Sequence, residues 1–155
     1  MDNLATAQKI LADIRYATIA TTDSSGEPWN TPVFYATENY TIYWSSHPDS
    51  VHSKNIATNQ KAYIVIYNSK ATKDEDTGLY MQASVRMLED GEEIRHAIEL
   101  LGARRGKPFE HIEKFMGHGP QRIYKATPIQ IWINDAQQDA DGDFIKDFRV
   151  EVENF

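Results

Sequence analysis

Three runs rich in Thr, Ile, Val and Tyr follow one another with almost nothing between them: Tyr16–Thr22, Pro28–Thr37 and Tyr40–Ser45. β-Branched and aromatic residues at this density favour extended chain. The connection Asp23-Ser24-Ser25-Gly26 reads as a turn, because Gly accepts positive φ and Asp bonds its own backbone. Glu38-Asn39 is shorter still. Strands joined so briefly pair antiparallel, since a parallel pair needs a crossover of roughly a dozen residues or more. Pro32 cannot donate to a ladder, so its strand lies at an edge or carries a bulge.

The strand pattern resumes at Ala62–Tyr67, Leu79–Leu88, Arg122–Asn134 and Phe144–Val152, with Asp141-Gly142 as a hairpin turn before the last. Helical spacing is found elsewhere. Leu4, Ala7, Ile10, Leu11 and Ile14 form one stripe that Asp2 or Asn3 can cap. A short helix is expected from Pro48-Asp49-Ser50 to about Thr58, with Asp49 or Ser50 as its cap. Glu92–Arg105 carries Ile94, Ala97, Ile98 and Leu101 on one face and ends near Gly102 or Gly106, and Pro108–Phe115 reads as a second helix. Asn68–Thr77 is polar and reads as a mobile loop. Clustered strands with a segregated helical insertion predict an α+β fold on an antiparallel sheet. Six or seven such strands can close into a small barrel, which removes the edges. At 155 residues the chain suits one domain, residues 1–155.

Composition narrows the function. A formal net charge of −7 argues against general affinity for nucleic acid or anionic membrane. With no cysteine there is no disulfide, thiolate metal site or cysteine nucleophile. No apolar run is long enough to span a bilayer. Met1-Asp2-Asn3-Leu4 lacks the basic start and apolar stretch of a secretion signal, so a cytoplasmic location is expected.

The stretch Trp44-Ser45-Ser46-His47-Pro48-Asp49-Ser50-Val51-His52-Ser53-Lys54-Asn55-Ile56 runs from strand through loop into a helix start. Free N–H groups there favour an anion. Ser45, Ser46, Ser50 and Ser53 can donate to phosphate oxygens, and His52 and Lys54 can supply positive charge. That makes a pocket for one phosphomonoester. The plain alternative is an N-capped surface helix that happens to carry serines. A carboxylate beside phosphate is repulsive, so Asp49 must cap the helix or point away.

The order strand, Ser, Ser50-x-His52-x-Lys54-Asn55-Ile56-x-x-Asn59, then the apolar strand Ala62–Tyr67, resembles the FMN-binding split-barrel superfamily of the pyridoxamine 5'-phosphate oxidases, on its general stress protein-like side. Ala17-Thr18-Ile19-Ala20-Thr21, a Gly turn, and Pro28-Trp29-Asn30-Thr31-Pro32-Val33-Phe34-Tyr35 fit the same pattern. The resemblance implies a six-stranded split β-barrel with flanking helices that binds FMN. It implies a homodimer with the flavin at the interface, open to a small-molecule substrate. By the same resemblance Asn30, Thr31, Pro32 and Val33 would run past the ring, with backbone bonds to its polar edge. Trp44 and Ser45 would flank the ribityl-phosphate chain. Ser50, His52 and Lys54 would hold the phosphate. Gln82 would reach the flavin from a neighbouring strand, and Trp132 would come from the second subunit. Trp44 and Trp132 also read as core aromatics, and Gln82 as a solvent-facing strand residue.

The departures bear on the reaction. Where true pyridoxamine-phosphate oxidases carry Arg in the second strand and Lys five residues on, this chain holds Thr31 and Ala36. Where their C-terminal tail has Arg and His, this chain has Lys146 near the His place and Arg149 shifted by about one. The expectation is therefore an FMN-dependent oxidoreductase with another substrate. Its rivals are a flavin-binding stress or sensor protein without turnover, a relative using deazaflavin or haem, and a cofactor-free dimer. Hydride chemistry would belong to the flavin. No side chain stands out as a general base.

The remaining constellations read as structural. Asp135, Asp139, Asp141 and Asp143 lack the Gly and closing Glu of a calcium loop, so a solvated hairpin is expected. His96, His111 and His118 are dispersed. Arg104-Arg105-Gly106-Lys107 reads as the solvated end of a helix.

Overall fold

The computed structural model describes residues 2–72 and 77–155, so part of the loop expected over Asn68–Thr77 lies outside the described residues. In chain order the elements are α1 (Asn3–Asp13), β1 (Tyr16–Thr22), β2 (Pro28–Phe34), β3 (Ala36–Glu38), β4 (Thr41–Ser46), α2 (Val51–Thr58), β5 (Lys61–Tyr67), β6 (Gly78–Met87), α3 (Gly91–Arg105), a 3-10 turn (Ile112–Phe115), β7 (Arg122–Gln138) and β8 (Phe144–Glu151). Local chemistry sets several of the boundaries. Asp2 caps α1 by accepting from Leu4 N and Ala5 N, and Asp90 does the same for Glu92 N and Glu93 N of α3. Gly106 ends α3 at φ 78, a conformation that residues with a Cβ resist.

Among the described residues the strands form one eight-stranded sheet in the order β2-β1-β5-β6-β7-β4-β3, with β8 paired to the distal half of β7. Every pairing is antiparallel, as the short connections require. β2 is an edge strand, which accommodates Pro32. The segment Pro28–Thr37, expected to be one strand, is two. β2 and β3 stand at opposite ends of the sheet, yet Tyr35 alone separates them in sequence. The sheet must curl until its ends meet at Tyr35. The barrel is thus split: the chain joins it there, and no ladder closes it. Eight strands replace the seven segments read from the sequence because Pro28–Thr37 divides into β2 and β3, and they exceed the six that the resemblance implies. The helix expected over Pro108–Phe115 contracts to the 3-10 turn.

Two hydrophobic cores result. One fills the curl with Ile19, Ile42, Trp44, Ile64, Met81 and Ile131, all wholly buried. The other lies outside it, where Ile94, Ile98 and Leu101 of α3 pack on Ala36, Tyr43 and Ile123. β4 is therefore covered on both faces, and Ile42, Tyr43 and Trp44 are all buried.

α1 and α3 are joined end to end by two arginines. Arg104 donates to the carbonyls of Leu11 (2.9 Å), Ala12 (2.5 Å) and Ile14 (2.6 Å), and Arg15 returns a bond to Arg104 O at 2.7 Å. Each cation neutralises the carbonyl end of the other helix. Arg104 also lies 5.4 Å from the centre of the Tyr35 ring, and the Tyr35 hydroxyl donates to Leu11 O at 3.2 Å. Replacing Arg104 by Met keeps much of the apolar stem and removes the donors. We expect a loss of about 2–3 kcal/mol in urea unfolding, the worth of charge-assisted bonds to groups left unpaired. An unchanged midpoint would show that water satisfies those carbonyls equally well.

Candidate functional site

β4 leaves the sheet at Ser46 and the chain turns through His47–Asp49 into α2. Ser50 is the N-cap residue of α2, but its hydroxyl makes no cap bond. It donates to Ser53 Oγ at 2.8 Å instead. The first turn of α2 therefore keeps N–H groups that no side chain has claimed. Ser46 Oγ lies 2.8 Å from His52 Nε2 and Ser50 Oγ lies 3.2 Å from the same nitrogen. The Tyr124 hydroxyl reaches Ser53, and its ring stacks on Trp44 at 5.6 Å. One ring nitrogen cannot occupy two hydroxyls fully, so donor capacity remains.

Among the described residues no carboxylate enters this cluster. Asp49 neither caps α2 nor faces the serines; it is exposed, with its carboxylate 3.8 Å from His47 Nδ1. His52 is buried, and desolvation holds its imidazole below the ordinary value of 6.5, so near pH 7 it is neutral. In the free chain the standing positive charge beside the corner is therefore neither His52 nor Lys54 but Arg122, which stands opposite Ser46 across β4 and β7 and acts on the Tyr124 hydroxyl. Lys54 lies on the exposed side of α2, away from the buried His52 and Ser53.

α2 is clipped to the end of β1: Asn55 Nδ2 donates to Thr21 Oγ1 at 3.1 Å, and Asn59 Nδ2 to Thr22 Oγ1 at 2.9 Å. The sheet face that begins there is organised by register. Asn30, Ala20, Tyr63, Gln82 and Gln130 lie side by side across β2, β1, β5, β6 and β7. The neighbouring row is Pro32, Thr18, Val65, Tyr80, Trp132 and Glu151. Both rows face away from the core, so Asn30, Pro32, Gln82 and Trp132 share one surface. Trp132 stacks on Tyr63 at 6.2 Å, and Arg149 covers the Tyr80 ring at 4.2 Å while donating to the Tyr63 hydroxyl at 3.0 Å.

Other expected residues are placed differently. Val33 belongs to the inner core, and Thr31 alternates to the same inward side. Trp44 is fully buried against Tyr124, so it supports the corner from beneath and cannot touch a ligand there. Ser45 points to the opposite face of β4 from Ser46, because strand side chains alternate. Tyr63, Tyr80 and Gln130, which no motif singles out, complete the outer surface together with Arg149, read from the sequence as a shifted tail arginine. The alternation in Lys61–Tyr67 marks Tyr63 as outward-facing, but only register brings the four together.

The pyridoxamine 5'-phosphate oxidase family profile matches residues 4–135. The chain belongs to that family. No curated protein matches it. Among solved structures it is similar to a candidate 5-nitroimidazole antibiotic resistance protein from Bacteroides thetaiotaomicron, with a TM-score of 0.73, 17% identity, and 86% of this chain and 84% of that one covered. It is similar to the haem storage protein HutZ from Vibrio cholerae, with a TM-score of 0.70, 18% identity, and 84% and 94% covered. A haem-binding protein from Mycobacterium smegmatis gives 0.63 at 17% identity, with 95% and 57% covered. At these identities the likeness is one of fold.

The burial of His52 has a pH signature. Its folded pKa lies below its unfolded value, so between the two the unfolded chain binds more protons and stability rises with pH. We expect stability to fall as pH drops below 6.5 towards the depressed folded value, and this component of the slope to vanish in His52→Gln. Urea midpoints measured across that range test it; parallel profiles for the two proteins would remove His52 as the source.

Proposed function

We propose that the chain is an FMN-binding flavoprotein and an oxidoreductase for a small molecule other than pyridoxamine phosphate, working as a cytoplasmic homodimer with the flavin between subunits. The observation that carries this reading is the cluster of Ser46, Ser50, Ser53 and His52, free of carboxylates among the described residues, at an uncapped helix start beside a sheet face bearing Asn30, Gln82 and Trp132. These residues fit a phosphomonoester joined to a flat polar ring. The hydroxyls rotate to donate, and a dianion nearby favours the protonated form of His52, restoring the charge that burial removed. Gln82 offers both a donor and an acceptor to the edge of a ring. When bound, FMN supplies hydride and single-electron transfer.

The family's own substrate is poorly served. Ala36 is buried against α3 in the second core, so the place of the expected Lys holds no cation and has no room for one. Among the described residues no helix is long and apolar enough to cross a membrane. The outer rows leave Tyr63, Tyr80 and Trp132 only half-buried, with Tyr16 and Tyr67 exposed at the same end. A second copy would cover them and the ring. Two of the similar structures are haem proteins. None of the histidines at 47, 52, 96, 111 and 118 falls in the outer rows, which favours flavin over a ligated macrocycle.

Purified protein is expected to release FMN on denaturation and to show flavin absorption bands. A Soret band would overturn the reading. Combining Ser46→Ala with His52→Gln should weaken FMN about tenfold or more, since bonds to an ionised group are worth roughly 1.5–3 kcal/mol each. Riboflavin, which lacks the phosphate, should bind the variant and the wild type alike. Equal loss for both ligands, in titrations followed by flavin fluorescence, would refute the phosphate assignment.

A further inference from the structure

The basic run at the end of α3 is more than a solvated helix terminus. With the loop that follows, it builds a pocket of about 390 Å³ against the outer face of β4. Ser45 contributes from the strand, and Arg105, Lys107, Lys114 and Gln121 from the loop side. Phe109 and Phe115 line it and meet edge to face at 5.2 Å. In a chain of net charge −7, this pocket gathers three cations and one acid, Glu110.

The ion pairs leave a surplus. Glu110 is engaged by Lys107 at 3.6 Å. His111, also in the lining, bonds to Glu113 at 2.9 Å, and Glu113 feels the charge of Lys114 without pairing to it. Among the described residues neither Arg105 nor Lys114 has an ion-pair partner. Arg105 is held in place by its position 4.4 Å above the Phe109 ring. Guanidinium, ammonium, hydroxyl and amide donors therefore converge over an aromatic floor.

We propose that this pocket binds a small molecule with an anionic head, phosphate or carboxylate, on an aromatic body. The cations and Ser45 take the head, and Phe109 and Phe115 take the body. The site is separate from the β4–α2 corner because Ser45 and Ser46 point to opposite faces of β4. It does not depend on what that corner holds.

Calorimetric titration of the purified full-length chain with phenyl phosphate and with benzoate tests this, with benzyl alcohol as the neutral control. Saturable binding of at least one anion, and none of the alcohol, is expected; the stronger of the two anions identifies the head group. Arg105→Ala with Lys114→Ala should weaken binding about tenfold or more while leaving FMN affinity unchanged. Lys114→Ala alone, at an exposed position, serves as a second variant that does not disturb the Phe109 stack and should weaken binding severalfold. Ser46→Ala with His52→Gln should bind the anion as the wild type does. No saturable binding, equal binding of the alcohol, or loss only in the Ser46/His52 variant would overturn the proposal.

Discussion

One residue holds the two ends of the sheet together. β2 pairs with β1 at one end and β3 with β4 at the other, and Tyr35 is the only residue between them. Its ring is wholly buried, its hydroxyl is bonded to Leu11 O, and Arg104 lies over it. The bend is therefore fixed from three sides by α1, α3 and the core. Curling the sheet at this point brings the end of β4 towards the end of β1. The turn after Ser46 and α2 span that gap, with α2 fastened to Thr21 and Thr22 by Asn55 and Asn59. The hydroxyl–imidazole corner exists because the barrel is split there. A barrel closed by hydrogen bonds would fill the same space with a continuous ladder.

The legible parts of the fold are those governed by local chemistry. Turns at Gly26 and Gly142, the cap at Asp2 and the stop at Gly106 are written in residues that act within a few positions. The division of Pro28–Thr37 is not local. Tyr35 is an ordinary strand former, and it bends because its two flanks find different partners. β4 shows the same limit. A strand buried on one face announces its orientation by alternation, but Ile42-Tyr43-Trp44 is buried on both, so nothing in the run says whether Ser45 or Ser46 faces the helix. The candidate site was half visible for that reason. The residue types are evident in the sequence, while Trp44 is taken into the inner core and Ser45 faces the opposite side of β4 from Ser46. The outer rows required register across five strands, which no spacing in a single sequence encodes.

His52 shows how the corner's electrostatics differ from its composition. On paper, a histidine and a lysine beside serines make a cationic pocket. In the fold, Lys54 turns to solvent and burial discharges His52. The standing charge there is that of Arg122, opposite Ser46, and an anion would add that of His52 by lowering the cost of protonating a buried imidazole. Such a site discriminates against weak acceptors: a neutral or singly hydrogen-bonding group gains little from hydroxyls that already satisfy one another.

That economy limits what the corner can achieve alone. A micromolar complex needs about 8 kcal/mol, and apart from those made by the unclaimed N–H groups of α2, new bonds to phosphate replace ones already present among Ser46, Ser50, Ser53 and His52. On the flavoprotein reading, most of the affinity must therefore come from the ring, at roughly 25 cal/mol for each Å² of apolar surface removed from water. A single sheet face covers one side of a planar molecule and leaves the other wet. The half-buried Tyr63, Tyr80 and Trp132 around Gln82 pose the same problem for the protein itself. One event, the apposition of a second copy as proposed, would remove both surfaces from water together. On that reading cofactor binding and dimer formation would be thermodynamically linked: each would stabilise the other by the same free energy, and a change at either surface would be felt at both.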